Sequence, residues 1–169
     1  MFGDLQKSRF IAYSAVFLGL ITLGGWISIP CFPVPFTLQT LFILLSGAVM
    51  RRYAIIPVCI YIGMGMLGLP VFHNGMAGLG ILLGPTGGYI LGFLFAAIIT
   101  GLAYETPSRH IRIVGLITAT AVIYLFGIAW LMYSLGLSFI VAFTAGVLPF
   151  VIGDAIKVLA VYLIAERFS

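Results

Sequence analysis

Six apolar stretches, at about residues 10–29, 36–50, 53–69, 82–104, 111–133 and 146–166, take up most of this chain of 169 residues. A hydrocarbon core roughly 30 Å thick needs about 20 helical residues to span it. Most of the stretches reach that length, and the second, which is short, has to extend into its flanks. Backbone N–H and C=O groups in lipid find no water, so the spanning segments are helices or the strands of a closed barrel. Barrel strands would show alternating polar and apolar positions over about ten residues at a time, and no such alternation is visible. With 63% hydrophobic and 7% charged residues, the chain does not have the composition of a soluble globular domain. The expected fold is all-α: a single-domain integral membrane protein over residues 1–169 with six transmembrane helices.

The basic residues orient that expectation. Lys7 and Arg9 precede the first stretch, Arg51 and Arg52 separate the second from the third, Arg109 and Arg112 separate the fourth from the fifth, and Arg167 follows the last. The intervening loops, near 30–35, 70–81 and 134–145, carry no Lys, Arg, Asp or Glu. Seven of the eight basic residues thus fall on one side, which the positive-inside rule makes the cytoplasm. Both termini are expected there, with short uncharged loops outside. The formal charge of +4 fits the anionic inner leaflet and gives no support to nucleic-acid binding. The basic N-terminus resembles a signal peptide, but its apolar stretch is long and no small-x-small cleavage site closes it, so it reads as the first helix. Cys31, in an outer loop, and Cys59, in the third stretch, lie at different depths and read as packing residues rather than a disulfide.

Lys157 is the exception to the charge pattern. It lies ten residues before Arg167, or about 15 Å into the membrane along a helix, with Asp154 about one turn deeper. Side chains three residues apart share a helix face. Charges at that depth are costly and mark a functional site facing the protein interior. Three readings stand open: an ion pair that staples the bundle, a proton relay, or a ligand site. In the last, Asp154 accepts hydrogen bonds from a ligand N–H while Lys157 supports it or meets an anionic group. Pro149 belongs to the first turn of that helix or to a kink, and either leaves backbone groups free near the outer mouth.

Two outer loops are unusual. The first, Pro30-Cys31-Phe32-Pro33-Val34-Pro35, is stiff and extended and leads into Thr37, Gln39 and Thr40. Thr37 suits N-cap chemistry, whereas the Gln39 amide, a turn inside a membrane helix, needs a partner. The second runs from Gly68 to Gly80 and presents His73 and Asn74; His73 reads as a solvated loop histidine. The glycines between Gly84 and Gly92 either pack helices or let backbone approach a ligand. On the first helix, Ala12, Ala15 and Gly19 form a small-residue stripe suited to internal packing or to a docking helix. No G-x-x-x-x-G-K-[ST] loop, metal-ligand cluster or G-x-S-x-G elbow is present. The chain is not expected to be an enzyme or to hold a cofactor or metal, and any ATP hydrolysis would belong to another subunit.

Four pieces occur in order: Val34-Pro35-Phe36-Thr37-Leu38-Gln39-Thr40, Gly68-Leu69-Pro70-Val71-Phe72, Gly84-Pro85-Thr86-Gly87-Gly88-Tyr89, and Leu148-Pro149-Phe150 followed by Gly153-Asp154 and Lys157. On these the chain resembles the biotin-binding S component of energy-coupling-factor vitamin transporters, in register from the first helix to the sixth. The fifth helix carries no motif. The resemblance implies a substrate-capture subunit that binds biotin from outside, with a transmembrane coupling subunit and two cytoplasmic ATPases as partners. It implies a pocket containing Asp154, Lys157 and Asn74, with Gln39 and Tyr89 beside them, and gives Ala12, Ala15 and Gly19 to the coupling face. The outward half contains no arginine, which leaves Lys157 as the fixed cation for the biotin carboxylate. Two alternatives remain: an S component for another vitamin, and a solitary proton-coupled carrier using Asp154 and Lys157.

Overall fold

In the computed structural model of the chain, which describes residues 2–167, the apolar stretches are helices. α1 (Phe2–Trp26) is followed by a hairpin of two short antiparallel strands, β1 (Ser28–Ile29) and β2 (Phe36–Thr37), in the register Ser28 to Thr37 and Ile29 to Phe36. Then come α2 (Gln39–Met50), α3 (Ile55–Met66), α4 (Leu79–Leu83), α5 (Gly87–Tyr104), α6 (Arg109–Leu135), α7 (Phe139–Gly146) and α8 (Val151–Ala165). The sequence gives no sign of the hairpin, of α4 or of α7, all of which lie in segments read as loops or as parts of longer helices. The proline loop is thus a small β-hairpin, drawn together by pairing across residues 28–37. Cys31 and Cys59 are free and both exposed, so neither packs in the interior.

Among the described residues, four segments are long and apolar enough to cross a membrane: Gln6–Trp26, Gln39–Met66, Gly87–Tyr104 and Arg109–Leu135. A fifth is available if α7 and α8, bent by 53°, act as one broken span. Length alone misreads the second of these. Gln39 Nε2 donates to Tyr61 OH at 2.5 Å across 22 residues, which a straight helix would place about 33 Å apart. The chain must therefore reverse between them, and it does so at Arg51, whose φ of 59° breaks the helix before the 3-10 turn Arg51–Ala54. α2 and α3 are 12 residues each, about 18 Å, so each needs its flanks to reach across hydrocarbon.

α5 is the best-buried helix and packs along α6, α2 and α3. Glycines set the approach: a Cβ on Gly88 would lie 2.3 Å from Phe126 O, and one on Gly101 would lie 2.4 Å from Arg51 O. The glycine cluster of α5 thus serves close helix packing. The core runs through Ile21, Ile43, Tyr61, Phe72, Ala97 and Leu116. Outside it, Leu125, Ile140 and Ile152 are 64%, 73% and 76% exposed; apolar surface on that scale needs lipid around it.

Apart from Asp154 and Lys157, the ion pairs among the described residues join helix ends. Arg52 forks onto Glu105 with bonds of 2.6 and 2.7 Å, tying the α2–α3 turn to the end of α5. The guanidinium holds the Glu105 carboxyl below the usual carboxylate range through that hydrogen bond. Arg112 Nη1 donates to Glu166 Oε1 at 2.7 Å, tying the start of α6 to the end of α8, and its guanidinium stacks over Tyr104. Arg109 approaches the same carboxylate at 3.8 Å.

Candidate binding site

The last apolar stretch, read from sequence as one helix from about residue 146, is broken. α7 ends at Gly146, Pro149 sits in the break, and α8 begins at Val151. A proline cannot donate to the helix ladder and clashes with the preceding turn, which explains the position of the break. The consequence is functional. Asp154 falls in the first turn of α8, where free N–H groups and the positive end of the helix dipole favour a carboxylate.

Asp154 and Lys157 are both 5% exposed and form an ion pair at 2.7 Å. The Lys157 ammonium donates to Asp154 Oδ1 at 2.7 Å, Thr40 Oγ1 at 2.8 Å and the Thr37 carbonyl at 2.6 Å. An ammonium has three N–H groups, and all three are occupied. Thr40 in turn donates to Asp154 Oδ1 at 3.2 Å, closing a ring of three side chains. The ammonium also lies 3.9 Å from the centroid of the Phe36 ring, a cation–π contact. Tyr124 OH donates to the other oxygen, Asp154 Oδ2, at 2.5 Å. A carboxylate has about four lone-pair sites, so Asp154 retains acceptor capacity on Oδ2.

These groups line a cavity with about 500 Å³ of atom-free space, its open mouth included. Phe36, Ile90, Phe93, Ile123 and Phe150 supply apolar wall, and Phe36 and Phe150 stack with centroids 6.0 Å apart. Gln39 is buried and lines the cavity, its amide paired with Tyr61. Thr37 Oγ1 accepts from the Gln39 backbone N–H at 3.3 Å, but the N-cap position of α2 is Leu38, so Thr37 stands one residue outside the cap that its sequence position suggests. Tyr89 also lines the cavity and donates to Gly146 O at 2.7 Å, holding the end of α7 against α5.

Of the residues expected here from sequence, the structure brings together Asp154, Lys157, Gln39 and Tyr89. Asn74 stands apart: it is exposed, has a left-handed backbone with φ 56°, and accepts a hydrogen bond from Ser28 Oγ of the hairpin. Ala12, Ala15 and Gly19 are exposed on α1, and a Cβ on Gly19 would meet nothing within 4 Å. Three participants escaped the sequence reading. Tyr124 lies on the helix that carries no motif, although a hydroxyl in an apolar helix calls for a partner. Thr40 was visible only as a residue near a helix start. His73, read as solvated, is 9% exposed and lines the cavity.

Tyr124→Phe tests the geometry without adding bulk. Removing a donor from a buried carboxylate is expected to lower stability by about 1–3 kcal/mol, measured as thermal unfolding in detergent. An unchanged midpoint would mean that the bond to Asp154 contributes nothing.

The sequence matches the profile of the BioY family over residues 3–169. It is 39% identical over 165 residues to a probable biotin transporter BioY from Pyrococcus horikoshii, covering 97% of this chain and 98% of that protein. It is 38% identical over 163 residues to a biotin transporter BioY from Thermotoga maritima, covering 95% and 96% of the two chains. The fold superimposes on the crystal structure of the S-component for biotin from an ECF-type ABC transporter with a TM-score of 0.87 and 27% identity, over 98% of this chain and 93% of that one.

Proposed function

This chain belongs to the BioY family, and on that footing we propose that it is a membrane-embedded capture subunit that binds biotin from the outer side of the cell membrane and delivers it inward with a coupling subunit and two ATPase subunits. The observation that carries the reading is the Asp154–Lys157–Thr40 ring in the wall of a cavity lined largely by apolar side chains. The biotin ureido group offers two N–H donors and one carbonyl. Asp154 Oδ2 is the acceptor for a ureido N–H, with the aromatic wall around Phe36 and Phe150 taking the bicyclic body. A site built from buried hydrogen-bonding groups rejects analogues that leave those groups unpaired, which is how a cavity this apolar would discriminate among vitamins.

In this reading the chain crosses the membrane six times, α2 and α3 each crossing with their flanks and α7 with α8 forming the last passage. The helix ends that carry Arg52, Glu105, Arg112 and Glu166 are cytoplasmic, as the charge bias of the loops requires, and both termini lie on that side. The hairpin and the Gly68–Gly80 loop cover the outer mouth.

The exposed stripe of Ala12, Ala15 and Gly19 is the face against which a helix of the coupling subunit packs, because small side chains let helix backbones approach in lipid. Ala15→Leu is expected to leave biotin binding by the purified chain unchanged. Biotin uptake by cells holding all subunits should fall by about tenfold, the factor that corresponds to 1.4 kcal/mol of lost contact energy. Equal uptake by wild type and variant would take this face out of coupling.

The buried Asp154–Lys157 pair also favours a second reading, a solitary carrier in which the carboxylate titrates during transport. Uptake by vesicles containing this chain alone separates the two. A capture subunit gives ligand binding without accumulation, whereas a carrier accumulates biotin and loses that accumulation to an uncoupler.

A further inference from the structure

Lys157 is spent before any ligand arrives. Its three donors go to Asp154, Thr40 and Thr37 O, and its charge is balanced by Asp154. A biotin anion in this cavity therefore still lacks a charge partner, and a carboxylate buried without one is costly. Among the described residues lining the cavity, His73 is the remaining group able to become a cation. It is 9% exposed, and its Nδ1 is buried with no hydrogen-bond partner. Its other nitrogen, Nε2, lies 3.4 Å from Thr86 Oγ1, and Thr86 donates to Ile81 O at 3.3 Å. The Thr86 hydroxyl thus directs its proton to a carbonyl and is left to accept from Nε2–H, which leaves Nδ1 bare in the neutral ring. A buried polar atom without a partner is uncommon, and here it belongs to a residue that lines the cavity.

We infer that His73 is the carboxylate-recognition residue of this site. Nδ1 takes up a proton as the ligand binds and donates it in a charge-assisted hydrogen bond to the ligand carboxylate, while Nε2–H stays on Thr86. This inference rests on the proposed biotin-binding role. Burial pushes the His73 imidazole below its usual value, with no charged neighbour contributing, so the free protein carries it neutral near pH 7 and binding draws the proton from solvent. The titratable groups that share the cavity are engaged elsewhere: Asp154 and Lys157 on α8 with each other, Tyr89 on α5 with Gly146 O, and Tyr124 on α6 with Asp154. Proton uptake on binding means tighter binding as pH falls.

The test is calorimetric titration of the purified chain with biotin and with biotinamide, in which a neutral amide replaces the carboxylate, between pH 8 and pH 6. The wild-type protein is expected to prefer biotin by about tenfold or more, the range that a hydrogen bond between charged groups gives. Its biotin affinity should rise as pH falls, by up to about tenfold per pH unit, with biotinamide flat. His73→Ala should weaken biotin far more than biotinamide, bringing the two affinities together, and remove the pH slope. His73→Gln, which keeps an amide donor without a titratable charge, should also lose the slope, and serves if the alanine variant folds poorly. Equal weakening of both ligands by His73→Ala, a preference for biotin that survives it, or a flat wild-type pH profile would each overturn the inference while leaving biotin binding itself intact. Absence of binding of either ligand to folded wild-type protein would instead remove the functional reading and the inference with it.

Discussion

Asp154→Ala is expected to weaken biotin binding by more than about tenfold, the loss that a hydrogen bond to a charged group produces when it is removed. It should also lower stability by about 3–5 kcal/mol, the usual cost of leaving one member of a buried ion pair alone. The reason is visible in the ring around Lys157. Without the carboxylate, the ammonium keeps two of its three partners, Thr37 O and Thr40 Oγ1, and retains a buried charge with nothing to balance it. Tyr124 OH loses its acceptor at the same time. Stability and binding can be separated by Asp154→Leu combined with Lys157→Met. Replacing a buried pair by apolar residues of similar volume is often neutral or stabilising, so the double variant should recover most of the unfolding midpoint and still fail to bind. Thermal unfolding in detergent and calorimetric titration read the two effects. Retained affinity in purified Asp154→Ala would remove Asp154 from the site and leave the pair as a staple of the bundle.

The second large effect is expected at the α5–α6 seam. A Cβ on Gly88 would lie 2.3 Å from Phe126 O and 2.3 Å from Trp130 Cβ. Neither atom is the end of a flexible chain, so the helices must separate. Overpacking of this kind costs about 1–3 kcal/mol. Gly88 also precedes Tyr89, which lines the cavity, and Trp130 Nε1 donates to Gly84 O at 2.9 Å. Gly88→Ala is therefore expected to lower the unfolding midpoint and weaken ligand binding together, since a shift of α5 relative to α6 moves Tyr89 against Tyr124. Gly19→Ala, where a Cβ meets nothing within 4 Å, is the matched control and should leave both unchanged. A Gly88→Ala protein with wild-type stability would mean that the seam has room the structure does not show.

The membrane-helical class was legible because apolarity over long runs is a property of single segments, and the pairing of Asp154 with Lys157 followed from their spacing of three residues on one helix. What escaped depends on contacts between distant segments. The reversal at Arg51 did not escape, because Arg51 and Arg52 already part the second apolar stretch from the third, and the bond between Gln39 and Tyr61 agrees with it. The break before Asp154 was half visible in Pro149, but whether a proline starts, kinks or interrupts a helix is decided by what packs around it. Tyr124 could not be tied to Asp154, 30 residues away on another helix, by any local pattern. Asn74 and His73 show the same limit from the other side. They are adjacent in a short polar element, and the turn at Asn74 sends one to Ser28 and buries the other in the cavity.

The central claim is that the cavity bounded by Asp154, Gln39, Tyr89 and the Phe36–Phe150 stack is a biotin site. It is tested most directly by calorimetric titration of the detergent-purified chain with biotin, beside desthiobiotin and thiamin. Binding of biotin near one to one, with no signal from thiamin, is the predicted result. Folded protein that binds thiamin in place of biotin would make the chain a capture subunit for another vitamin, and folded protein that binds none of the three would contradict the account.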